Sequence, residues 1–117
     1  MLIEIDLADG APLYVQIAAG IRRMLAIGEL APGDSLPTGR EMAAALDVNL
    51  ETVQRAYRIV ADEGLVVSRV GRGTRVADDV DPRRLDLGSR IDELVRLAAD
   101  VGVSPAQLAK MIVSTGA

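Results

Sequence analysis

The chain of 117 residues contains no cysteine and no histidine. These absences exclude disulfides and the thiolate and imidazole metal sites, and they remove the commonest general base of enzymes. Catalysis would then need a carboxylate pair or Lys110, the only lysine, which the pattern places in a short helix without converging partners. We therefore expect a protein that is not an enzyme and that needs no metal or cofactor.

Phenylalanine and tryptophan are also absent, so Tyr14 and Tyr57 are the only aromatic residues. We expect an aliphatic core with both tyrosines in it. No stretch approaches the roughly 20 apolar residues of a membrane span. The first six residues lack the basic start and long apolar run of a signal peptide, so we expect a cytoplasmic protein without a membrane partner.

Charge is unevenly distributed along the chain. The net charge of −4 argues against nucleic acid, yet residues 69–75 carry three arginines and no acid. The acids cluster on either side, at Asp62-Glu63 and at Asp78-Asp79-Asp81. Because local basic patches govern contact with phosphates, the overall acidity weakens a nucleic-acid function without excluding it.

Apolar spacing predicts a first helix that begins at Pro12 or Leu13 and ends at Gly28. A second helix is predicted to begin at Thr38, because Thr38 and Glu41 form a T-x-x-E capping box. Its buried face would consist of Met42, Ala43 and Leu46.

A third helix is predicted from Asn49, a suitable N-cap, to about Glu63, with Gly64 as its C-terminal cap. Its inward residues would be Val53, Ala56, Tyr57 and Val60. Only Asp47 and Val48 form the turn after the second helix. Helices joined by so short a turn cross at a steep angle, which predicts a helix-turn-helix.

Apolar and alternating residues from Leu65 to Ser68 and from Thr74 to Ala77 predict a β-hairpin. Gly71 and Gly73 lie between the two strands and permit a tight tip. A glycine-tipped hairpin that follows a helix-turn-helix is typical of a wing. The fold class is therefore mainly α with a small β-hairpin wing, and residues 1–77 form the winged helix-turn-helix domain.

A polar segment, residues 78–88, is predicted to be a linker to a two-helix tail, residues 89–117. The fourth helix would run from Ser89 to about Asp100, and the fifth would follow a capping box of Ser104 and Gln107. Their apolar faces consist of Ile91, Leu94, Val95, Ala98, Leu108, Met111 and Ile112.

Two helices of about a dozen residues are marginal alone in water, and about 40 residues cannot build an independent core. The apolar faces of the tail must therefore pack on the body or on a second copy. A symmetric homodimer is the commonest solution. The alternative is a tail that folds back on its own domain.

Residues 11–77 resemble the GntR family of winged-helix bacterial transcription regulators. The matching stretches are Pro12–Ile17, Gly28–Leu30 with Pro32–Asp34, Leu36-Pro37 with Arg40-Glu41, Thr52-Val53 with Arg55-Ala56, Glu63–Leu65 and Gly71–Thr74. The short tail resembles that of the small YtrA-like subfamily, in which it mainly makes the dimer.

The resemblance implies DNA contacts from Arg40, from Asn49, Leu50, Glu51 and Thr52 at the start of the third helix, from Gln54 and Arg55, and from the wing tip around Gly71. Two positions depart from the family pattern. Gly39 replaces a charged or polar residue, and the pair Leu50-Glu51 replaces a more basic or small polar pair.

The residues themselves suit DNA. The first turn of the third helix offers free N–H groups to a phosphate, and Arg55 can reach a guanine edge or a phosphate. Arg40 would contact the backbone. The wing arginines Arg69, Arg72 and Arg75 could lie along the minor groove, where Gly71 and Gly73 permit close approach.

Simpler roles remain open for several of these residues. Arg55 and Glu51 are four positions apart and could pair on the helix surface, and Arg40 could pair with a nearby acid. Glu51 could accept a hydrogen bond from cytosine N4, repel phosphate at wrong sites, or be an ordinary acid of a first helical turn.

These patterns predict a sequence-specific, dimeric regulator of double-stranded DNA that reads an inverted repeat, and the resemblance implies that it acts as a repressor. The alternative is a winged-helix protein-interaction module without strong DNA affinity, which the net negative charge and Glu51 favour. No pattern identifies a small-molecule effector; such a ligand would bind near the tail.

Overall fold

The computed structural model describes residues 3–69 and 71–116 of the chain. These residues form helices α1 (Leu13–Ala26), α2 (Gly39–Leu46) and α3 (Leu50–Asp62), strands β1 (Val66–Arg69) and β2 (Gly73–Val76), and helices α4 (Pro82–Asp100) and α5 (Pro105–Thr115). The mainly helical fold with a small β-hairpin is confirmed. Within the described ranges, no helix is both long enough and apolar enough to cross a membrane.

Helix α1 begins where the sequence predicts, directly after Pro12. It buries one apolar face against α3, with Ile17, Ile21, Met24 and Leu25 almost completely inaccessible to solvent. The predicted end is confirmed too, because Gly28 has a φ of +82°, which L side chains rarely adopt.

The predicted helix-turn-helix is present. Thr38 Oγ1 accepts a hydrogen bond from Glu41 N at 3.1 Å, and the Glu41 carboxylate accepts one from Thr38 N at 3.1 Å. Asp47 closes α2 in the left-handed conformation with a φ of +54°. Helix α3 buries its four predicted inward residues, and Gly64 follows its end with a φ of +79°.

The Asn49 side chain does not cap α3 as predicted. Asn49 occupies the N-cap position, but its side chain makes no capping hydrogen bond. The backbone carbonyl of Asn49 instead accepts from Thr52 N at 3.1 Å. The short turn therefore relies on backbone geometry, and the N–H groups of Leu50 and Glu51 stay available to an external acceptor.

The hairpin strands are antiparallel, in a register that pairs Val66 with Val76 and Arg69 with Gly73. Both strands lie within one residue of their predicted bounds. Gly71 and Gly73 have φ values of +77° and +71°, so the tip uses the freedom that glycine provides. Position 70, which belongs to the predicted hairpin, lies outside the described residues.

The predicted linker over 78–88 is wrong in its second half, because α4 begins at Pro82 and not at Ser89. Asp81 is the N-cap, and its side chain accepts a hydrogen bond from Arg83 N at 3.0 Å. Pro82 occupies a first helical position, where its missing N–H costs nothing. The connection between β2 and α4 is consequently short, and Val80 within it is buried in the core.

Helix α4 contains a glycine, Gly88, at a position where a side chain would not fit. A Cβ at Gly88 would lie 2.8 Å from the Ile27 Cα and would also clash with the Ala26 carbonyl oxygen. Helix α4 therefore crosses the end of α1 at backbone contact distance. The N-terminal part of α4 therefore packs on the body.

The arm before α1 is ordered but forms no strand over residues 3–6. Gln16 holds it, because the Gln16 side chain accepts from Asp6 N at 2.8 Å and donates to the Asp6 carbonyl at 3.0 Å. Ile3 is buried and lies on Gly20, where a Cβ would approach an Ile3 methyl to 2.8 Å.

Candidate nucleic-acid interface

Helix α3 presents a continuous polar face opposite the face that it buries. Glu51, Gln54, Arg55 and Arg58 are all exposed. Gln54 and Arg55 follow Glu51 by three and four residues, and Arg58 follows them by four and three, so all four lie on one side of the helix. Since Val53, Ala56 and Val60 anchor the other side in the core, this polar face has a fixed orientation.

A groove separates this face from the hairpin and from the start of α2. It is lined by Thr38, Gly39, Arg40, Leu50, Gln54, Tyr57, Arg58, Ala61, Ser68 and Thr74. Arg40 and Arg58 are exposed and carry positive charge to it. No ion pair involves either arginine within the described residues, so the simpler reading in which an acid neutralises Arg40 has no support.

Tyr57 fixes the start of α2 relative to α3. Its hydroxyl donates a hydrogen bond of 2.7 Å to the carbonyl oxygen of Pro37, directly before the Thr38 cap. Burial raises the pKa of the Tyr57 hydroxyl to about 12, and the nearby Glu41 carboxylate adds to the rise. Tyr57 is therefore the predicted core residue, and it also positions the helix that carries Arg40.

Arg55 does not pair with Glu51. Its guanidinium carbon lies 3.8 Å from the centroid of the Tyr14 ring, which is cation–π geometry. Tyr14 is half-buried at the edge of the core, so the predicted core placement holds for only part of its side chain. The stacking covers one face of the guanidinium and leaves its N–H edge for another acceptor.

The hairpin has two chemically different faces, because side chains alternate along each strand. Ser68 and Thr74 form a cross-strand hydrogen bond of 2.8 Å on the face that lines the groove with α3. Arg69 and Arg75 belong to the opposite alternation, together with Val67. Arg69 and Arg75 therefore share the outer face of the hairpin, and Arg72 lies at its tip.

The outer face of the hairpin forms a second concave surface. Arg69, Arg72 and Arg75 line it together with Asp78 and Asp79, which lie at the root of the hairpin. The acids reduce the positive potential at the root, whereas Arg72 lies beyond them at the tip. Gly71, Arg72 and Gly73, all predicted DNA contacts, are exposed at that end.

At the start of α3, the two departures from the family pattern lie against each other. A Cβ on Gly39 would lie 3.1 Å from Leu50 Cδ1 and 3.9 Å from Gln54 Cγ. Leu50 and Thr52 are half-buried, whereas Asn49 is exposed. Leu50 therefore occupies the space that a larger residue at position 39 would need.

Two residues of this surface, Arg58 and Tyr14, were not predicted from the sequence to belong to it. Arg58 lies one turn beyond Gln54 and lines both the groove and the concave surface beside Tyr14. The spacing from Glu51 to Arg58 was a visible signal of a shared face. The contact between Tyr14 and Arg55 had no such signal, because it joins two helices that are distant in sequence.

The predicted dimerisation residues differ in their surroundings. Ala98 and Leu108 are buried, and Val95 is half-buried. The other four stay exposed to solvent: Ile91 at 45%, Leu94 at 41%, Met111 at 55% and Ile112 at 54%. Ile91 also lines a small groove with Ala26 and Ile27. An apolar stripe thus remains on the tail after α4 and α5 have packed on each other.

Comparison with known protein families gives one match that covers more than half of the chain. The family described as bacterial regulatory proteins, gntR family, matches residues 13–76. This range begins with α1 and ends with β2. It therefore contains the helix-turn-helix and the whole wing, and it excludes the tail.

A curated relative agrees with this match. The chain is 35% identical over 78 residues to the HTH-type transcriptional repressor YtrA of Bacillus subtilis, and the alignment covers 67% of this chain and 60% of the repressor. This chain thus aligns with less than two thirds of that relative.

Two solved structures are similar in fold. YtrA from Sulfolobus acidocaldarius, a GntR-family transcription factor, superposes with a TM-score of 0.64 and 41% identity over 84% of this chain and 99% of its own. The DNA-binding domain AraR(DBD), solved in complex with operator ORE1, gives a TM-score of 0.57 and 26% identity over 66% of this chain and 94% of its own.

Proposed function

The chain belongs to the GntR family of bacterial regulatory proteins, and we propose that it regulates transcription by binding double-stranded DNA at specific sequences. The observation that carries this proposal is the exposed polar face of α3, flanked by Arg40 on one side and by the glycine-tipped wing on the other. An α-helix of this kind fits the major groove of B-DNA.

The residues of this surface fall into two groups that suit two kinds of DNA contact. Arg40, Arg58 and Arg72 are exposed cations around the helix and suit phosphates, which position a protein without reading sequence. Gln54 and Arg55 lie within the first two turns of α3, where recognition helices contact base edges. The AraR complexes with operator DNA support the same use of a similar domain.

We propose further that the protein is a homodimer that reads an inverted repeat. The exposed apolar residues of the tail are costly in a monomer, and a two-fold partner would cover them with the same residues of a second copy. Two recognition helices related by this axis would contact half-sites that are about 34 Å apart or a multiple of that distance.

Repression is the regulatory outcome that we propose. The support is the similarity to the YtrA repressor, and the physical argument is that a protein bound at a promoter blocks access to it by occupying the site. No metal or cofactor enters the proposed activity, and the relatives are transcriptional regulators rather than enzymes.

The decisive experiment is selection of bound duplexes from a random DNA pool, followed by fluorescence anisotropy on enriched sites at several salt concentrations. We expect an enriched inverted repeat and a steep fall in affinity with salt, because phosphate contacts release counterions. A promoter that carries the selected site should lose transcription in vitro when the protein is added.

Absence of enrichment, with weak binding to every duplex, would contradict the DNA-binding proposal. The net charge of −4 favours one alternative for that case, a winged-helix module that binds proteins. Enrichment of a single half-site, or a monomer at micromolar concentration, would contradict the dimer and leave DNA binding intact.

A further inference from the structure

An apolar side chain lies at the start of the helix that we assign to the major groove. Leu50 is the first residue of α3, and it lies outside the hydrophobic core and its packed margin. It lines the groove between α2, α3 and the hairpin, next to Gly39 and Gln54. A leucine in this position needs an apolar partner to gain free energy from contact.

The position of Leu50 depends on Gly39. Because a Cβ at Gly39 would approach Leu50 Cδ1 to 3.1 Å, a side chain there would force the end of the leucine to shift by a few tenths of an ångström. Gly39 has no positive φ, so its backbone does not require glycine. The glycine therefore provides space for the leucine, and the two residues form one apolar notch.

The major groove offers one apolar group that could fill this notch. Among the four bases, only thymine carries a methyl group at its groove edge, on C5. Gln54 follows Leu50 by one helical turn, and its Cγ would lie 3.9 Å from a Cβ on the same glycine. Its amide can donate to and accept from the N6 and N7 edge of adenine, which pairs with thymine.

We propose that Leu50 reads the C5-methyl group of a thymine in each half-site, with Gly39 as the residue that positions it. This inference rests on the proposed DNA binding and adds a specificity determinant to it. A charged residue at position 50 would favour a base that accepts or donates hydrogen bonds. The leucine makes a T·A pair the preferred partner at that point of the operator.

In the test, deoxyuridine replaces one thymine position of the selected operator at a time, and the same position is replaced in both half-sites. Deoxyuridine lacks only the methyl group and keeps every hydrogen-bonding edge. At one thymine position, we expect the native protein to lose affinity about fourfold per half-site, the factor that corresponds to burial of one methyl group. Other thymines should show smaller effects.

The variant Leu50→Ala should bind the thymine and deoxyuridine duplexes with equal affinity at that position. Leu7→Ala removes another leucine, which is 86% exposed and does not line the groove, and should keep the difference. If Leu50→Ala fails to fold by circular dichroism, Gly39→Ala serves instead, because its Cβ shifts the Leu50 methyl group by a few tenths of an ångström and should reduce the thymine preference.

The outcomes separate this inference from the proposed function. An enriched operator with a steep salt dependence but no effect of deoxyuridine at any thymine would overturn the thymine contact alone. So would a Leu50→Ala protein, or a Gly39→Ala protein in its place, that keeps the full native difference. If no duplex is enriched, the DNA-binding function and this inference fail together.

Discussion

The Arg55 guanidinium lies 3.8 Å above the ring of Tyr14 and joins the proposed recognition helix to α1. The contact removes rotational freedom from a long side chain before DNA is bound. An arginine that is already ordered loses less conformational entropy when it meets a guanine or a phosphate. Tyr14 therefore acts as a positioning residue for Arg55.

Replacing Tyr14 with leucine should weaken DNA binding by about 0.5–1.5 kcal/mol per protomer, the entropic cost of ordering one long side chain on binding. Tyr14→Phe keeps the ring and should bind almost as well as the native protein. Anisotropy titrations on the selected operator compare the three proteins. Equal affinities of the native and Tyr14→Leu proteins would show that Arg55 needs no ring beneath it.

Structure that depends on neighbouring residues could be predicted from the sequence. The capping box of Thr38 and Glu41, the turn at Asp47 and the buried face of α3 follow local rules, and all are confirmed. The start of α4 was also visible, since Asp81 and Pro82 form a cap and a first helical residue. The polar composition after Asp81 obscured that signal.

Contacts between distant elements could not be predicted in this way. Arg55 meets Tyr14, and Gly88 meets the end of α1, only because the three-dimensional packing brings those residues together. The Glu51 and Arg55 pair shows the opposite error. Their spacing permits a salt bridge, yet the Arg55 guanidinium stacks on the ring of Tyr14, which belongs to another helix.

Arg58 should contact a phosphate, because it is an exposed cation at the groove one turn beyond Gln54. Arg58→Gln should weaken binding to specific and random duplexes alike and should reduce the slope of log affinity against log salt by about one per protomer. Arg96→Gln on α4 removes the same charge away from the groove. A loss confined to one operator sequence would instead mean that Arg58 reads a base.

The tail stripe should control assembly. Ile112→Glu puts a charge among exposed apolar residues of α5, and we expect it to convert a dimer into a monomer and to weaken operator binding steeply. Ala106→Glu adds the same charge on the other side of α5 and should remain dimeric. Sedimentation equilibrium measures both, and a dimeric Ile112→Glu protein would place the interface elsewhere.

Tyr57 should make stability depend on pH at the alkaline end. Burial raises the pKa of its hydroxyl in the folded state to about 12, above the unfolded value near 10. The neutral form is thus favoured by folding, and its contribution is complete below pH 10 and is lost as pH rises towards 12.

Tyr57→Phe should lower the free energy of unfolding by about 1 kcal/mol at pH 7, since it removes the hydrogen bond to the Pro37 carbonyl. It should also remove this part of the alkaline dependence. Urea unfolding measures the free energy of unfolding of both proteins at pH values from 7 to about 11.5. Parallel curves over that range would mean that the Tyr57 hydroxyl ionises as readily in the folded state as in the unfolded chain.

Gly88 should fix the angle at which the tail leaves the body. Gly88→Ala adds a Cβ against the Ala26 carbonyl and the Ile27 backbone, where no flexible side chain can yield. Although alanine favours helices by about 1 kcal/mol over glycine, overpacking against backbone costs about 1–3 kcal/mol. We therefore expect a net loss of stability or a displacement of α4 from α1.

Gly10→Ala provides the matched comparison, because no heavy atom lies within 4 Å of a Cβ at Gly10. Urea unfolding measures the stability of both variants, and binding to operators with different half-site separations tests the spacing of the two recognition helices. If the tail sets the spacing of two recognition helices, Gly88→Ala should shift the preferred half-site separation while each half-site sequence stays the same. A variant that is as stable as the native protein and prefers the same separation would show that α4 reaches its partner independently of its contact with α1.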